Sequence, residues 1–169
     1  EVIPAGLFAA SKKVETFESA FNRTAVSEIP AGLFDSAVNA KSFKSTFYSC
    51  ENLSSVPAGL FDKCVNVTSF NQTFNHCSSL TAVPTGLFDN CPLVEDVAMC
   101  FKDTGISEIP AGILDKLAKL TSVQSLFEDC VNISSVPDRL FAKCTSVTDF
   151  SNVFAGCSGI KTLGSNIFP

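Results

Sequence analysis

Residues 74–88 read Phe74-Asn75-His76-Cys77-Ser78-Ser79-Leu80-Thr81-Ala82-Val83-Pro84-Thr85-Gly86-Leu87-Phe88, and near copies of this stretch recur along the chain. Pro marks fall at Pro4, Pro30, Pro57, Pro84, Pro110 and Pro137, with Gly164 in the place of a seventh, so the period alternates between 26 and 27 residues. A fixed period of this length predicts a solenoid in which each unit buries its apolar side only against its neighbours. The predicted units are 3–28, 29–55, 56–82, 83–108, 109–135 and 136–162, with the start of a seventh at 163–169. One unit cannot stand alone. Ordering its backbone costs about 1–2 kcal/mol per residue, and its six or seven large apolar side chains each contribute about 1.5–3 kcal/mol only when fully buried.

Taking the apolar residue before each Pro as offset 0 aligns the units into columns. A Leu-Phe pair recurs at offsets 4 and 5, from Leu7-Phe8 to Leu140-Phe141, with Ile113-Leu114 and Ile167-Phe168 as conservative versions. Offset 14 holds Phe17, Phe43, Phe70, Val97, Val123 and Phe150, and offset 18 is Phe throughout: Phe21, Phe47, Phe74, Phe101, Phe127 and Phe154. All 16 Phe residues fall at offsets 5, 14 and 18, so the aromatic content belongs to the core. With no Trp and one Tyr, few of the aromatic anchors that dominate interfaces are left over.

Segments such as Leu80 to Val83, Leu53 to Val56 and Ile133 to Val136 have apolar ends around small polar residues and stop at Pro, which predicts short parallel strands. The apolar spacing of 3, 4 and 3 through Val67, Phe70, Phe74 and Cys77 has a helical period. Thr and Ser at offsets 12 and 13 are suited to cap such a helix. Ile113 to Cys130 reads as the best helix, although Val, Asn and Thr leave an extended segment open elsewhere.

The formal charge of −5 disfavours nucleic acid and anionic membrane surfaces, which need a basic face. No run approaches the roughly 18 apolar residues of a membrane span. The chain has no leader-like segment and starts and stops inside the repeat pattern. That is expected of a mature fragment, a piece of a longer array or a subunit whose ends other chains fill.

The eight Cys lie mostly in two columns: Cys50, Cys77, Cys130 and Cys157 at offset 21, and Cys64, Cys91 and Cys144 at offset 8. Thr, Ser, Ala and Leu replace Cys there, which favours stacked reduced thiols. The even count keeps disulfides as the alternative. Cys100 belongs to neither column and is the best candidate for a reactive thiol, although a buried position fits it better. No metal signature appears, and a single His cannot build a His-based cage. His76 beside Cys77 is not a nucleophile pair, because it sits in a column expected to face solvent, with Arg23, Ser49, Asp103, Asp129 and Gly156. Glu95-Asp96 and Glu128-Asp129 read as a solvated face. Asp35, Asp62, Asp89 and Asp115 form a column at offset 6 that suits a solvated surface better than a Ca²⁺ site. Five Asn-x-Ser/Thr sequons, at Asn22, Asn52, Asn66, Asn71 and Asn132, are explained by the abundance of Ser and Thr.

The string Phe-x-x-Cys-x-x-Leu-x-x-Val/Ile-Pro-x-x-Leu-Phe, clear at 47–61, 74–88 and 127–141, resembles the BspA-like, or Treponema-type, leucine-rich repeats over essentially the whole chain. Thr24 and Thr104 replace Cys in units one residue shorter than the rest, and the units exceed the family's common length. The resemblance implies an α/β repeat solenoid: a right-handed leucine-rich-repeat coil with short parallel strands on one face and short helices on the other. It also implies a secreted or cell-surface protein that adheres to other proteins or cells.

With no base, nucleophile, metal or cofactor motif, the expected role is non-enzymatic. The expected partner is a protein on a host or other cell, bound by the outward strand positions Ser27, Glu28, Ser54, Ser55, Thr81, Ser107, Glu108, Ser134, Ser135 and Lys161. The alternative is head-to-tail self-assembly into a filament through core-type residues at the ends, namely Val2, Ile3, Leu163, Ile167 and Phe168.

Overall fold

In a Pro-x-Gly sequence whose Pro opens a four-residue turn, Gly falls at the third position, where a type II turn requires the positive φ that Gly accepts without strain. In the computed structural model, which describes residues 1–169, a bend of this kind opens the second unit: Leu33 N–H donates to Pro30 C=O at 3.2 Å and Gly32 has φ 71°. Further tight turns follow, closed by Asp35 N–H to Gly32 C=O, Ala37 to Phe34 and Ala40 to Ala37. Two more bends come at offsets 14–17 and 18–21, where Thr46 N–H donates to Phe43 C=O and Cys50 N–H to Phe47 C=O, both at 3.1 Å. Their third residues, Ser45 and Ser49, lie at φ 53°.

No residue is helical. This corrects the expectation of short helices, including the one over Ile113 to Cys130. There the chain bends repeatedly, with Leu117 N–H donating to Leu114 C=O, Leu126 to Val123 and Cys130 to Phe127, and with Ser125 at φ 56° and Asp129 at φ 60°. Four-residue turns bring apolar residues to one side at the same 3 and 4 spacing as a helix. The N–H groups decide between the two. Ser125, Phe127 and Asp129 donate to Ser151, Val153 and Ala155 of the next coil, at 3.0, 3.1 and 2.7 Å.

The same pattern runs up the solenoid. Phe17, Ser19, Phe21 and Arg23 donate to Ser42, Lys44, Thr46 and Tyr48, and Phe43, Ser45, Phe47 and Ser49 donate to Ser69, Asn71, Thr73 and Asn75. The intervening amide at offset 15 finds the side chain at offset 13: Glu18 N–H bonds Thr16 Oγ1, Lys44 bonds Ser42 Oγ, Asn71 bonds Ser69 Oγ, and Ala98 bonds Asp96 Oδ1. The amides two and six positions further along bond three residues back, as Thr46 does to Phe43 and Cys50 to Phe47. The backbone polar groups of the bend are thus paired locally, to a side chain or to the next coil. The Ser and Thr residues read as helix caps therefore cap turns. A parallel ladder of bridges runs through this column, Thr16 to Ser42 to Ser69 to Asp96 to Ser122.

The column predicted to be strand is thinner. Strand β1 (Ser135–Val136) pairs in parallel with β2 (Thr162–Leu163), and Ser135 lies opposite Thr162. Elsewhere single bonds join the coils: Ser54 N–H to Ser27 C=O, Ser107 to Thr81, Ser134 to Ser107 and Lys161 to Ser134. These bonds are isolated, and none joins Thr81 to Ser54, so Leu53 to Val56 and Leu80 to Val83 are extended rather than strands.

Between the two ladders lies a seam of 46 buried side chains. The Phe columns stack along it. Phe47, Phe74, Phe101, Phe127 and Phe154 follow one another at centroid spacings of 5.6, 5.9, 5.9 and 6.0 Å, with ring planes within 8° of parallel. Phe34, Phe43 and Phe61 cross-pack beside them at 4.7 and 4.8 Å. No helix of the chain is long and apolar enough to cross a membrane.

Candidate functional site

The strand column lifts its polar side chains out of the seam because every third or fourth neighbour is a core residue. Leu53, Val56, Leu80, Val83, Ile106, Ile109, Ile133 and Val136 are buried. Between them Glu28, Ser54, Ser55, Thr81, Ser107, Glu108, Ser134, Ser135 and Lys161 are exposed, and Ser27 is half-buried. Successive coils thus place them in one polar stripe. The stripe holds a shallow recess of about 160 Å³ lined by Thr81, Val83, Thr85, Ser107, Glu108 and Pro110. Backbone groups around it are joined by the Ser107 to Thr81 bond at 3.3 Å.

The cysteines are all free thiols, and only Cys157 is partly exposed. At offset 21 each sulfur reaches back to the preceding coil: Cys50 Sγ donates to Phe21 C=O at 3.1 Å, Cys77 to Phe47 at 3.1 Å, Cys130 to Phe101 at 2.9 Å and Cys157 to Phe127 at 2.9 Å. In the two short units Thr24 and Thr104 instead turn their hydroxyls to Phe21 and Phe101 of their own unit, both at 2.9 Å. Stacked reduced thiols are therefore what the column contains, and the disulfide alternative is not realised. Burial pushes the thiols up, Cys64 and Cys91 to about 12 and Cys144 and Cys157 to about 11. Cys100, the candidate reactive thiol, is wholly buried and raised by the same desolvation, which removes it as a nucleophile. It occupies offset 17, where Thr46 and Thr73 are also fully buried and donate to Phe43 and Phe70 at 2.7 and 2.8 Å.

The acidic column offers no cage for a cation. Asp35, Asp62, Asp89 and Asp115 are exposed, and each carboxylate folds over the glycine three residues before it; Asp35 Oδ2 sits 2.9 Å from where a Cβ on Gly32 would be. No three His, Cys, Asp or Glu side chains converge in a way that could hold a metal ion.

Sequence columns missed one cluster, because its members differ from coil to coil. At offsets 19 and 20 the Arg23 guanidinium lies 5.8 Å over the Tyr48 ring, and Tyr48 meets His76 edge-on at 5.4 Å. His76 Nδ1 is 2.5 Å from Asp103 Oδ2, and Lys102 Nζ is 2.8 Å from Glu128 Oε1. His76 is half-buried rather than free in solvent, and Cys77 beside it points into the core. The two do not pair.

At the ends, Val2, Leu163 and Phe168 are 74%, 67% and 49% exposed, and Ile167 is half-buried. Ile3 is 3% exposed and belongs to the core, so it offers little to an end contact. The amides of Phe150, Asn152, Phe154 and Gly156 have no backbone partner, and neither do the carbonyls of Thr16, Glu18, Ala20 and Asn22. These two rows hold the positions that pair between adjacent coils inside the chain, as Phe43, Ser45, Phe47 and Ser49 do with Ser69, Asn71, Thr73 and Asn75.

No family model matches the sequence, and no curated protein is similar to it. Solved structures are similar in fold. The APL1 leucine-rich repeat domain aligns over 80% of this chain with a TM-score of 0.55 at 18% identity, and Toll in the Drosophila Toll–Spätzle complex aligns over 97% with a TM-score of 0.50 at 18% identity. A leucine-rich repeat protein from Bacteroides ovatus aligns over 82% at 15% identity with a TM-score of 0.39. The chain spans 35%, 23% and 40% of those three chains in turn. Together with the stacked coils, buried Leu and Phe columns and coil-to-coil ladders, the first two likenesses establish that this chain folds as a leucine-rich-repeat solenoid.

Proposed function

We propose that the chain is a non-enzymatic protein-binding module of the BspA-like kind, displayed on or outside a cell, that engages its partner through the strand stripe. The observation that carries this reading is the stripe itself. Ser54, Thr81, Ser107, Ser134 and Lys161 stand exposed in register on successive coils, with the recess at Thr81 and Glu108 among them. Hydroxyls and carboxylates at a repeat spacing suit hydrogen bonding to an extended polypeptide. The Toll solenoid was solved in complex with Spätzle, which supports a protein as the class of partner. The test is binding of the purified chain to a panel of immobilised secreted and extracellular-matrix proteins by biolayer interferometry, beside a Ser107→Arg/Ser134→Arg variant. Saturable binding that falls tenfold or more in the variant supports the stripe. Saturable binding that the variant leaves unchanged overturns it, and the absence of any saturable binder counts against the module.

The matched unpaired rows favour a second reading, end-to-end association of this chain. Donors of Phe150, Asn152, Phe154 and Gly156 face the register of the acceptors Thr16, Glu18, Ala20 and Asn22, and Val2, Leu163, Ile167 and Phe168 add apolar contact. Repetition of such a heterologous contact gives a filament. Light scattering across a dilution series tests it: mass rising in multiples of 18.0 kDa supports assembly, and a monomer throughout rules it out.

A further inference from the structure

The strand stripe is small and polar and lacks the large anchors that dominate protein interfaces, where Tyr, Trp and Arg carry most of the energy. The chain has one Tyr, one His and two Arg in all. Tyr48, His76 and Arg23 come together on its surface, in the row at offsets 19 and 20. Within that row His76 is matched by Asp103 and Lys102 by Glu128, whereas Arg23 has no carboxylate partner. Tyr48 holds it from below, and the Arg23 amide donates to Tyr48 C=O at 2.7 Å. Beside it opens a polar recess of about 390 Å³, lined by Arg23, Thr24, Ala25, Ser49, Glu51 and Asn52. The recess exists because the first unit lacks one residue after Thr24: Thr24-Ala25-Val26 stacks on the longer Cys50-Glu51-Asn52-Leu53. No such recess opens at the other short unit, where Asn132 Nδ2 donates to Gly105 C=O at 3.4 Å.

We propose that this recess and the Arg23–Tyr48–His76 row form the anchoring site for an extended, uncharged polypeptide segment of the partner, on the flank of the strand stripe. The assignment rests on the binding-module reading above and locates its hot spot. The lining offers a donor in Arg23, an acceptor in Glu51, and side chains that both donate and accept in Thr24, Ser49 and Asn52, and that mixture complements a main-chain amide, with its C=O and N–H, better than an ion of either sign. The net charge of −5 adds repulsion against an acidic segment. A sugar is served less well, because the Arg23 guanidinium lies over the Tyr48 ring where a sugar would stack and His76 crowds the same ring.

The experiment selects binders to the 169-residue chain from a random-peptide display library and measures the enriched peptides against Arg23→Ala, Tyr48→Ala, Ser107→Arg/Ser134→Arg and the distant control Lys63→Ala. The expected result is a loss of about tenfold or more with Arg23→Ala and with Tyr48→Ala and no change with Lys63→Ala, while thermal melts show that each variant remains folded. Peptides that depend only on Ser107 and Ser134 overturn the anchoring site and leave the stripe reading standing. Peptides indifferent to all three sites overturn both, and a selection that enriches none overturns the anchor. A parallel glycan array in which binding disappears with Arg23→Ala overturns the polypeptide assignment.

Discussion

Removing one ring from the continuous Phe column tests whether the solenoid is held by nearest-neighbour stacking. Phe74 is fully buried, with Phe47 at 5.6 Å on one side and Phe101 at 5.9 Å on the other. Phe21 occupies the same offset in the first coil but is half-buried, and the only ring of its column it meets is Phe47, at 5.3 Å. Phe74→Ala is expected to cost about 3–5 kcal/mol, the range for a buried ring whose cavity cannot collapse between fixed coils. Phe21→Ala loses half the burial and one stacked neighbour instead of two, so its cost is about 1.5–2.5 kcal/mol. Against a total stability of about 5–15 kcal/mol, the first is a large fraction of the whole. Urea titration followed by far-UV circular dichroism reads both. The midpoint for Phe74→Ala drops at least twice as far as that for Phe21→Ala, and its transition broadens because the defect divides the array into two cooperative halves. Equal midpoint shifts for the two variants would refute the argument, since a core without stacking order is indifferent to position along the coil.

Alkylation of the native protein at pH 8 is expected to label Cys157 slowly and the other seven thiols not at all, whereas urea exposes all eight; rapid native labelling of Cys100 contradicts its burial. Gln72 sits at φ 56° and Gly59 at φ 71°, so Gln72→Gly is expected to be neutral or stabilising by up to about 1 kcal/mol, while Gly59→Ala destabilises by about 1–2 kcal/mol. The Cβ of the latter would also lie 3.0 Å from Asp62 Oδ2, and equal melting temperatures for the two variants would defeat the turn assignment. The Lys102 ammonium holds the Glu128 carboxyl below its ordinary range, helped by Ser125. Its folded value lies below its unfolded one, so its stabilisation is present above the unfolded value and is lost as pH falls through the folded value. Acid titration of Lys102→Met is expected to show a shallower loss of stability in that window than the parent; matching profiles would remove the pair from the acid response.

What the sequence made legible is whatever repeats by shape. The offset-18 ring must lie on the ring before it, so a Phe there is copied in all six units, and a thiol column tolerates Thr because either side chain can reach a Phe carbonyl. The distinction between helix and turn was not legible at Ile113 to Cys130. Both place Val123 and Phe127 inward, and they differ in where Ser125 N–H donates, which is set by Ser151 one coil away. A positive φ announces itself when Gly holds the position, as Gly32 does, but Ser45, Gln72 and Met99 adopt it with no local signature because the bonds to the next coil compel it.

The polar row is hidden for the opposite reason. Column reading looks for sameness, and offset 20 holds Arg23, Ser49, His76, Asp103 and Asp129, which look like unrelated solvent residues until stacking sets Arg23 and His76 around Tyr48 at offset 19. A solenoid separates these two kinds of information physically. Positions facing the seam must repeat because each coil is the template for the next, and positions at the outer bends are free to differ. A site built there therefore runs along the solenoid axis, one side chain per coil, and its specificity resides in the residues that break the repeat.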